Sequence, residues 1–208
     1  MPQTAYDPKS YSEDHVFDAP GLLGWLTSRR KAAVVRYIQV GLGGISDGTV
    51  LDIGCGYGEM LSEFPAARLV GVDINHPALS EARRRNPAGC FTMANVERLP
   101  IADSRFDAVV CSEVLEHMDD PSPLAREIVR VTRPGGVYCI TVPNESVTTL
   151  GRLVLGKRPV KSPAHKQSFT PESLARLFPH PAVMQCVVPY PFLPFILSTN
   201  IVALFRKT

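Results

Sequence analysis

The sequence predicts an α/β fold in which helices cover both faces of a doubly wound, seven-stranded sheet, mostly parallel with an antiparallel last strand. From Thr49 onward, short apolar segments alternate with helix-like segments, a pattern typical of parallel strands connected by helices. A glycine-rich turn follows the first apolar segment. The last two apolar segments lack a helix-length connection, so we expect them to pair antiparallel, because a parallel pair needs a longer crossover.

The strands are predicted from apolar segments bounded by turn-forming residues. They are Thr49–Ile53, Arg68–Asp73, Cys90–Ala94, Asp107–Cys111, Gly136–Val142, Ala182–Val188 and Asn200–Phe205. Helices are expected at about Gly58–Phe64, at about Pro77–Arg85 and at Pro121–Thr132. A further short helix is expected to run through Leu177, with Thr170 as its N-cap, because a threonine hydroxyl can accept a hydrogen bond from the first helical turn.

Two regions are predicted along the chain. Residues 1–48 are expected to form an N-terminal helical arm, because Leu22–Val40 has apolar residues at helical spacing and Gly41-Leu42-Gly43-Gly44 ends that helix. Residues 49–208 are expected to form the main domain, which is interrupted by a loop-rich insertion at about 144–168.

The composition excludes several classes of protein. The chain has 208 residues, of which 45% are hydrophobic and 20% charged, so it is neither a disordered nor a fibrous sequence. Its five cysteines never form a C-x-x-C pair, which argues against a disulfide scaffold and against a zinc site. No apolar run reaches the roughly 20 residues of a membrane helix, and residues 1–10 lack the pattern of a signal peptide. A cytoplasmic location is expected.

Charge and apolar residues are unevenly distributed near the chain's end. Residues 145–208 carry eight basic and two acidic side chains, and most of the basic ones lie between Arg152 and Lys166. This stretch has the charge of a surface for a nucleic acid or of a solvated loop. The run Tyr190–Leu197 is apolar and suits a pocket for a hydrophobic acceptor, contact with a membrane surface, or packing under the sheet edge.

The glycine turn is the strongest functional signal. Gly54, Gly56 and Gly58 follow the first strand at alternate positions, so the backbone can turn tightly and a ligand can lie against it. The spacing matches neither the dinucleotide pattern G-x-G-x-x-G nor a Walker loop. Asp52, at the end of the strand, would repel a phosphate and attract an ammonium group.

A second signal lies at the end of the second strand. Asp73 can accept hydrogen bonds from both hydroxyls of a ribose, and Ile74 beside it offers an apolar face to a base. Together with Asp52, these residues predict a site for a nucleoside that carries a cationic amino-acid tail.

The sequence resembles the class I S-adenosylmethionine-dependent methyltransferases, in the branch of the ubiquinone-biosynthesis O-methyltransferases. Four pieces carry the resemblance in order: VLDIGCGYGEM, VGVDIN, ANVERLPIADSRFDAVVCSEVLEHMDDP and RVTRPGGVYCITVPN. The resemblance implies a Rossmann-like fold and S-adenosyl-L-methionine as cofactor. It also implies cofactor-binding roles for Asp52, Gly54, Gly56, Gly58, Asp73, Ile74, Asn95, Val96 and Ser112.

Each implied residue has a part of the cofactor assigned to it. The glycines would line the methionine portion, Asp52 would hold the amino group through water, and Asp73 would bind the ribose. Ser112 would offer its backbone carbonyl to the ammonium group. Asn95 and Val96 would contact the adenine. Family members often have aspartate where this chain has Asn95, so we expect weaker adenine binding, since the amide oxygen can still accept a hydrogen bond.

A Glu-x-x-Glu-His cluster follows the fourth strand. On a helical turn, Glu113, Glu116 and His117 would share one face, and His165 in the insertion is a fourth candidate. Carboxylates and imidazoles together suit Mg²⁺ or Mn²⁺. Three interpretations stay open: a metal site, His117 as a general base without metal, and a structural role at the pocket edge.

The cluster also resembles those of metal-assisted quinone O-methyltransferases and of small-RNA 3′-terminal 2′-O-methyltransferases. The function we expect is methyl transfer to a small-molecule acceptor, at a hydroxyl oxygen, with an acceptor that can be hydrophobic. Metal-assisted 2′-O-methylation of an RNA 3′ end is the second expectation, and the basic stretch would then contact phosphates. A non-catalytic, S-adenosylmethionine-binding regulatory protein is the third.

Overall fold

The computed structural model describes residues 22–44, 47–64, 67–154, 164–180, 182–187 and 199–208. The apolar run Tyr190–Leu197 and most of the basic stretch, including Lys157, Arg158 and Lys161, lie outside the described residues. The predictions made for them therefore stay predictions. So does the division of the chain into an arm of residues 1–48 and a main domain of residues 49–208.

Five helices and seven strands are described. The helices are α1 (Leu22–Leu42), α2 (His76–Arg85), α3 (Ser122–Val131), α4 (Glu145–Val154) and α5 (Pro171–Arg176). The strands are β1 (Thr49–Ile53), β2 (Arg68–Asp73), β3 (Cys90–Met93), β4 (Phe106–Ser112), β5 (Thr132–Pro143), β6 (Ala182–Val187) and β7 (Asn200–Arg206). Two 3₁₀ turns, Leu61–Glu63 and Leu115–His117, follow β1 and β4.

The strands form one sheet in the order β3-β2-β1-β4-β5-β7-β6. Strands β1 to β5 pair in parallel, and β7 runs antiparallel to both β5 and β6. This confirms an α/β sheet that is mostly parallel with an antiparallel last strand. The prediction of a doubly wound sheet with helices on both faces stays a prediction. The chain order reverses between β1 and β4, and ligands of such sheets bind at the carboxyl ends of the strands at that reversal.

Buried side chains lie on both sides of β1. Val50 belongs to one hydrophobic cluster with Ile38 of α1, whereas Leu51 belongs to a second cluster with Leu124 of α3. Neighbouring residues of a strand point to opposite faces, so this alternation follows from the pleat. Burial of each such side chain contributes about 1.5–3 kcal/mol. The two clusters therefore pack against both faces of β1, the strand from whose end the glycine turn begins.

Helix caps follow from local sequence. Asn75 precedes α2 and accepts a hydrogen bond from Ala78 N at 3.2 Å. Thr170 caps α5 as expected, because its Oγ1 accepts from Ser173 N at 3.2 Å while Ser173 Oγ accepts from Thr170 N at 2.9 Å. Such reciprocal bonds satisfy backbone donors that the first turn of a helix leaves unpaired.

Two local predictions are wrong. The helix expected at about Gly58–Phe64 is reduced to the 3₁₀ turn Leu61–Glu63, because the glycine turn, with its left-handed residues, continues through Gly58. The segment expected to be loop-rich begins with helix α4, which has Glu145 in its first turn, where a carboxylate interacts favourably with the helix dipole. Among the described helices, none combines the length and apolar character needed to span a membrane.

Candidate functional site

The glycine turn lies at the carboxyl end of β1, at the reversal of the sheet order. The backbone N–H groups of Gly54 and Cys55 both donate to Val72 O, at 2.8 and 3.0 Å, so the turn is fastened to β2. Gly54 and Gly58 have φ of 73° and 74°, which residues with a side chain rarely adopt. The backbone of the turn is therefore held in one shape that requires glycine.

Asp73 connects this turn to the start of α2. Its side chain is buried, its Oδ2 accepts from Gly56 N at 2.8 Å, and its Oδ1 accepts from Asn75 N at 2.8 Å. Each carboxylate oxygen can accept more than one hydrogen bond, so these contacts orient the group and leave it capable of binding further donors. The predicted role of Asp73 at ribose hydroxyls fits this orientation.

Asp52 is the second buried carboxylate of the site. Burial raises the pKa of Asp52 well above its usual range, and the negative charge of Asp73 raises this pKa further. A buried carboxylate of this kind is stabilised in its ionised form by a cation nearby. The arrangement therefore favours a ligand that carries a positive charge over one that carries a phosphate.

The Asp52→Asn variant is expected to be more stable than the ligand-free wild type at neutral pH. Because the pKa of Asp52 is raised in the folded state, the unfolded state ionises first as the pH rises above 3.8, and the wild type loses stability until the pH passes the folded-state pKa. Asparagine does not ionise. We therefore expect the gain in free energy of unfolding of Asp52→Asn over the wild type to be larger at pH 7.5 than at pH 4.

Urea unfolding of both proteins at pH 4 and pH 7.5 measures this difference. Glu97 is exposed, so Glu97→Gln provides a control for the replacement of a carboxylate by an amide at the surface. A stability difference for Asp52→Asn that is the same at pH 4 and pH 7.5 would contradict the prediction.

The residues predicted to contact an adenine lie beyond the ends of β2 and β3. Ile74 is 49% exposed, and Val96 is half-buried against the core. Asn95 is exposed, and its Oδ1 accepts from Glu97 N at 2.9 Å. The amide oxygen is thus already engaged in a local turn but keeps a second lone pair. Its contact with an adenine stays a prediction.

Ser112 ends β4 and begins a chain of hydrogen bonds. Its hydroxyl lies 2.8 Å from Thr141 Oγ1, and the Thr141 hydroxyl donates to Glu113 Oε1 at 3.0 Å. Since the Thr141 hydroxyl donates its single hydrogen to Glu113, Ser112 is the donor in the bond to Thr141. The predicted contact of the Ser112 carbonyl with an ammonium group stays a prediction.

The predicted alignment of Glu113 with Glu116 and His117 on one helical face is wrong. The 3₁₀ turn covers only Leu115–His117, and Glu113 precedes it with φ of 57°. The Glu113 carboxylate instead contacts Arg30 Nη1 at 3.1 Å and Asn200 Nδ2 at 3.2 Å, in addition to Thr141. A left-handed residue turns its side chain out of the direction that a helix would give it, so Glu113 is not part of the candidate metal cluster.

Three of the four predicted metal ligands do come together. Glu116, His117 and His165 offer ligand atoms that all lie within 4.8 Å of one another. Glu116 is 1% exposed, and neither of its carboxylate oxygens has a hydrogen-bond partner among the described residues. Burial raises the pKa of Glu116 well above its usual range and the charge of Glu113 adds to this, whereas the charge of Arg30 lowers the pKa.

The segment 164–167 brings His165 to this cluster. Lys166 N and Gln167 N both donate to Glu116 O, at 2.8 and 3.1 Å, and Lys166 Nζ pairs with Asp119 at 2.6 Å. His117 Nδ1 lies 3.0 Å from Ala164 O. The two imidazole rings are thereby held with centroids 5.2 Å apart, edge to face.

Two residues of the site were missed by sequence reasoning. Arg30 of α1 reaches Glu113, and Glu145 of α4 forms a hydrogen-bonded pair with His165 Nδ1. Glu145 directly follows the carboxyl edge of β5, so the rule that placed Glu113 and Glu116 at that edge could have found it. No local pattern marks Arg30, because its role depends on which face of α1 meets the sheet.

The glycine turn and the Glu116 cluster are direct neighbours. A Cβ atom added at Gly54 would lie 2.4 Å from Val114 Cγ2, so the residue before the 3₁₀ turn packs on the glycine turn itself. Because the two features touch at the carboxyl ends of β1 and β4, they form one site.

The chain is similar in sequence to known methyltransferases. Residues 51–140 match the family described as "Methyltransferase domain". A probable S-adenosylmethionine-dependent methyltransferase of Mycolicibacterium smegmatis is 36% identical over 50% of this chain and 41% of the relative. A ubiquinone biosynthesis O-methyltransferase of Alkalilimnicola ehrlichii is 34% identical over 58% of this chain and 51% of the relative. The chain thus spans about half the length of these curated relatives or less.

Solved structures show the same fold. The N-methyltransferase NodS of Bradyrhizobium japonicum, in complex with S-adenosyl-L-homocysteine, superposes with a TM-score of 0.67 at 18% identity over 88% of this chain and 87% of that one. A SAM-dependent methyltransferase of Thermotoga maritima gives a TM-score of 0.65 at 20% identity over 89% of this chain and 94% of that one. Similarity at this level of identity concerns the fold alone.

Proposed function

Residues 51–140 of this chain carry a methyltransferase domain, in a chain with the class I methyltransferase fold, and on that premise we propose that the protein transfers a methyl group from S-adenosyl-L-methionine to a hydroxyl oxygen of a small molecule. The observation that carries the proposal is the contact between the glycine turn and the Glu116–His117 turn at Val114. This contact supports the proposal because the residues that we assign to the cofactor then lie beside a cluster that can accept a proton. The curated O-methyltransferase relative supports the choice of oxygen.

The residues at the glycine turn fit S-adenosyl-L-methionine. Buried Asp52 favours a cationic ligand, Asp73 is oriented for two hydroxyl donors, and Gly54, Gly56 and Gly58 let the methionine portion lie against the backbone. We assign Ile74, Asn95 and Val96 to the adenine and the Ser112 carbonyl to the amino group. When bound, the cofactor supplies an electrophilic methyl group on a sulfonium, which the protein needs only to align with the acceptor oxygen.

Proton removal from the acceptor hydroxyl falls to the cluster at the 3₁₀ turn. His117 is exposed, and its Nε2 lies 4.0 Å from Glu116 Oε1. An imidazole is well suited to take a proton near neutral pH, so we assign His117 as the catalytic base. His117 would hold the proton of the acceptor hydroxyl while the methyl group is transferred.

The same cluster supports a second assignment, a divalent cation. Glu116 offers two buried carboxylate oxygens that lack partners among the described residues, and His117 and His165 add imidazole nitrogens within 4.8 Å. With Glu113 excluded by its contacts, the donor set has one carboxylate and two imidazoles, which suits Mn²⁺ better than Mg²⁺. A cation held there would lower the pKa of the acceptor hydroxyl.

A labelled-methyl assay tests the proposed function. The purified protein is incubated with S-adenosyl-L-methionine carrying a radioactive methyl group and with a cell extract, whose products are separated into organic-soluble, RNA and protein fractions. Label in the organic-soluble fraction is the expected result. Label in RNA would instead support 2′-O-methylation, and cofactor binding without transfer to any fraction would support a regulatory protein.

Glu116→Gln separates the two assignments of the cluster. If a cation is used, this variant should lower both Mn²⁺ affinity and methyl transfer by at least about 100-fold, because even the groups that orient metal ligands contribute 10- to 100-fold. Chelation of the wild type should give the same loss of transfer. Mn²⁺ binding is measured by electron paramagnetic resonance.

Glu113→Gln is the matched control, since Glu113 pairs with Arg30 outside the cluster and its replacement should lower Mn²⁺ affinity far less than Glu116→Gln does. Transfer by the wild type that is indifferent to chelator would reject the cation and leave His117 as the base.

A further inference from the structure

Glu145 is a half-buried acidic residue that points into the site from a different helix. It is the first residue of α4, and its side chain is 12% exposed. Its Oε1 is hydrogen-bonded to His165 Nδ1, across 20 residues of sequence. A glutamate in the first turn of a helix needs no such contact to stabilise the helix, because the dipole effect is available at the surface. The direction of this side chain therefore has another cause.

The contact determines which nitrogen of His165 carries the proton. The carboxylate oxygen of Glu145 accepts this hydrogen bond, so Nδ1 of His165 is the donor and Nε2 is left as the ring nitrogen with a lone pair. The same reasoning applies to His117, whose Nδ1 lies 3.0 Å from the carbonyl oxygen of Ala164. Both imidazoles are therefore held in the same tautomer, one by a carboxylate and one by the backbone.

We propose that Glu145 is a positioning residue that holds His165 as its Nδ1–H tautomer. The nitrogen with the lone pair, Nε2, is then the atom that His165 contributes to the cluster with Glu116 and His117. This inference rests on the proposed function and adds to it a residue that touches neither the cofactor nor the acceptor. A carboxylate that orients a histidine from behind in this way is a common feature of catalytic and metal-binding histidines.

The arrangement gives the two histidines different restraints. The Ala164 carbonyl that orients His117 belongs to the same segment, 164–167, that the backbone bonds to Glu116 O hold in place. His165 lies in that segment too, but its ring is oriented by a side chain from α4. A change at Glu145 should therefore affect His165 and leave His117 in place, which makes the proposal separable from a general collapse of the site.

Long-range ¹⁵N NMR of the histidine rings tests the tautomer directly and needs no turnover. We expect the Nδ1–H form for His165 in the wild type and a shift toward the Nε2–H form in Glu145→Ala, with His117 unchanged. His165→Gln assigns the signal by its disappearance. Glu145→Asp keeps a carboxylate and should retain the Nδ1–H form.

Glu172→Ala is the matched control, because Glu172 also lies in the first turn of a short helix but is exposed. It reproduces the loss of a helix-terminal charge and should leave the His165 spectrum as in the wild type. Calorimetric binding of S-adenosyl-L-methionine shows that each variant is folded.

Kinetics with catechol as the acceptor probe provide the second readout. Glu145→Ala should lower kcat by about 10- to 100-fold, the usual cost of removing the partner that orients a histidine, with the affinity for the cofactor unchanged and with partial recovery in Glu145→Asp. A His165 tautomer that does not change in Glu145→Ala would overturn the proposal, whatever the activity. Absence of transfer in the wild type would instead count against the proposed function and leave the NMR result to decide the role of Glu145.

Discussion

We expect Asp73→Ala to lower the affinity for S-adenosyl-L-methionine by at least about 100-fold, since two hydrogen bonds to a charged acceptor contribute about 1.5–3 kcal/mol each. The carboxylate has two tasks that alanine cannot perform. It fastens the glycine turn by accepting a hydrogen bond from Gly56 N, and it is the proposed acceptor for the ribose hydroxyls. A hydrogen bond from Asn75 N orients it toward the carboxyl edge of the sheet. Isothermal titration calorimetry with the purified protein measures the affinity.

Asp107→Ala is the control for a general effect on stability. Asp107 also accepts a backbone hydrogen bond, from Thr49 N at 2.7 Å, and it pairs with Arg133, but it lies at the opposite, amino end of the strands. Its replacement should lower the free energy of unfolding while cofactor affinity stays as in the wild type. If Asp73→Ala is folded and binds the cofactor normally, the assignment of Asp73 to the ribose is wrong.

The second large effect is expected at Gly54. Gly54→Ala should lower the free energy of unfolding by about 2–5 kcal/mol, from about 1–2 kcal/mol for a side chain in the left-handed region and 1–3 kcal/mol for overpacking. The added Cβ would lie 2.4 Å from Val114 Cγ2, and the backbone φ is 73°. Chemical denaturation measures the loss. We also expect weaker cofactor binding, because relief of the clash moves the glycine turn away from the Glu116 cluster.

Two further variants separate strain from overpacking. Gly135 has a φ of 76° and nothing within 4 Å of an added Cβ, so Gly135→Ala should show only the cost of the backbone conformation. Val114→Ala in the Gly54→Ala background removes the clashing methyl group and should recover the overpacking part. Equal losses for Gly54→Ala and Gly135→Ala would show that the contact with Val114 does not restrict the turn.

The parts of the site that could be predicted share one property: their position depends on residues close in sequence. The glycine turn follows from an apolar strand that runs into Gly54, Gly56 and Gly58, and Asp73 follows from its place at the end of the next strand. Parallel strands align their carboxyl ends at one edge, so knowledge of the strands was sufficient to bring these residues together. The antiparallel last strand was predicted separately, from the short connection between the last two strands.

The Glu-x-x-Glu-His cluster shows where this reasoning fails. Helical spacing placed Glu113 with Glu116 and His117, but the chain takes one residue in the left-handed region before a single 3₁₀ turn, and Glu113 turns toward Arg30. A single backbone dihedral thus changed the partner of a carboxylate. Periodicity is informative over several helical turns and has little value over one.

The sequence by itself determined the type of fold, the shape of the glycine turn and the acidic residue at the end of β2, because strand patterning and the freedom of glycine act locally. Only the tertiary structure decided that Glu145 bonds to His165 and that Arg30 pairs with Glu113. It also decided that the carboxylate of Glu116 is buried without a hydrogen-bond partner among the described residues. The contact of Arg30 with Glu113 depends on which face of α1 meets the sheet, and the contact of Glu145 with His165 depends on how residues 164–167 are held against Glu116. The packing of the whole domain, and no local pattern, determines both.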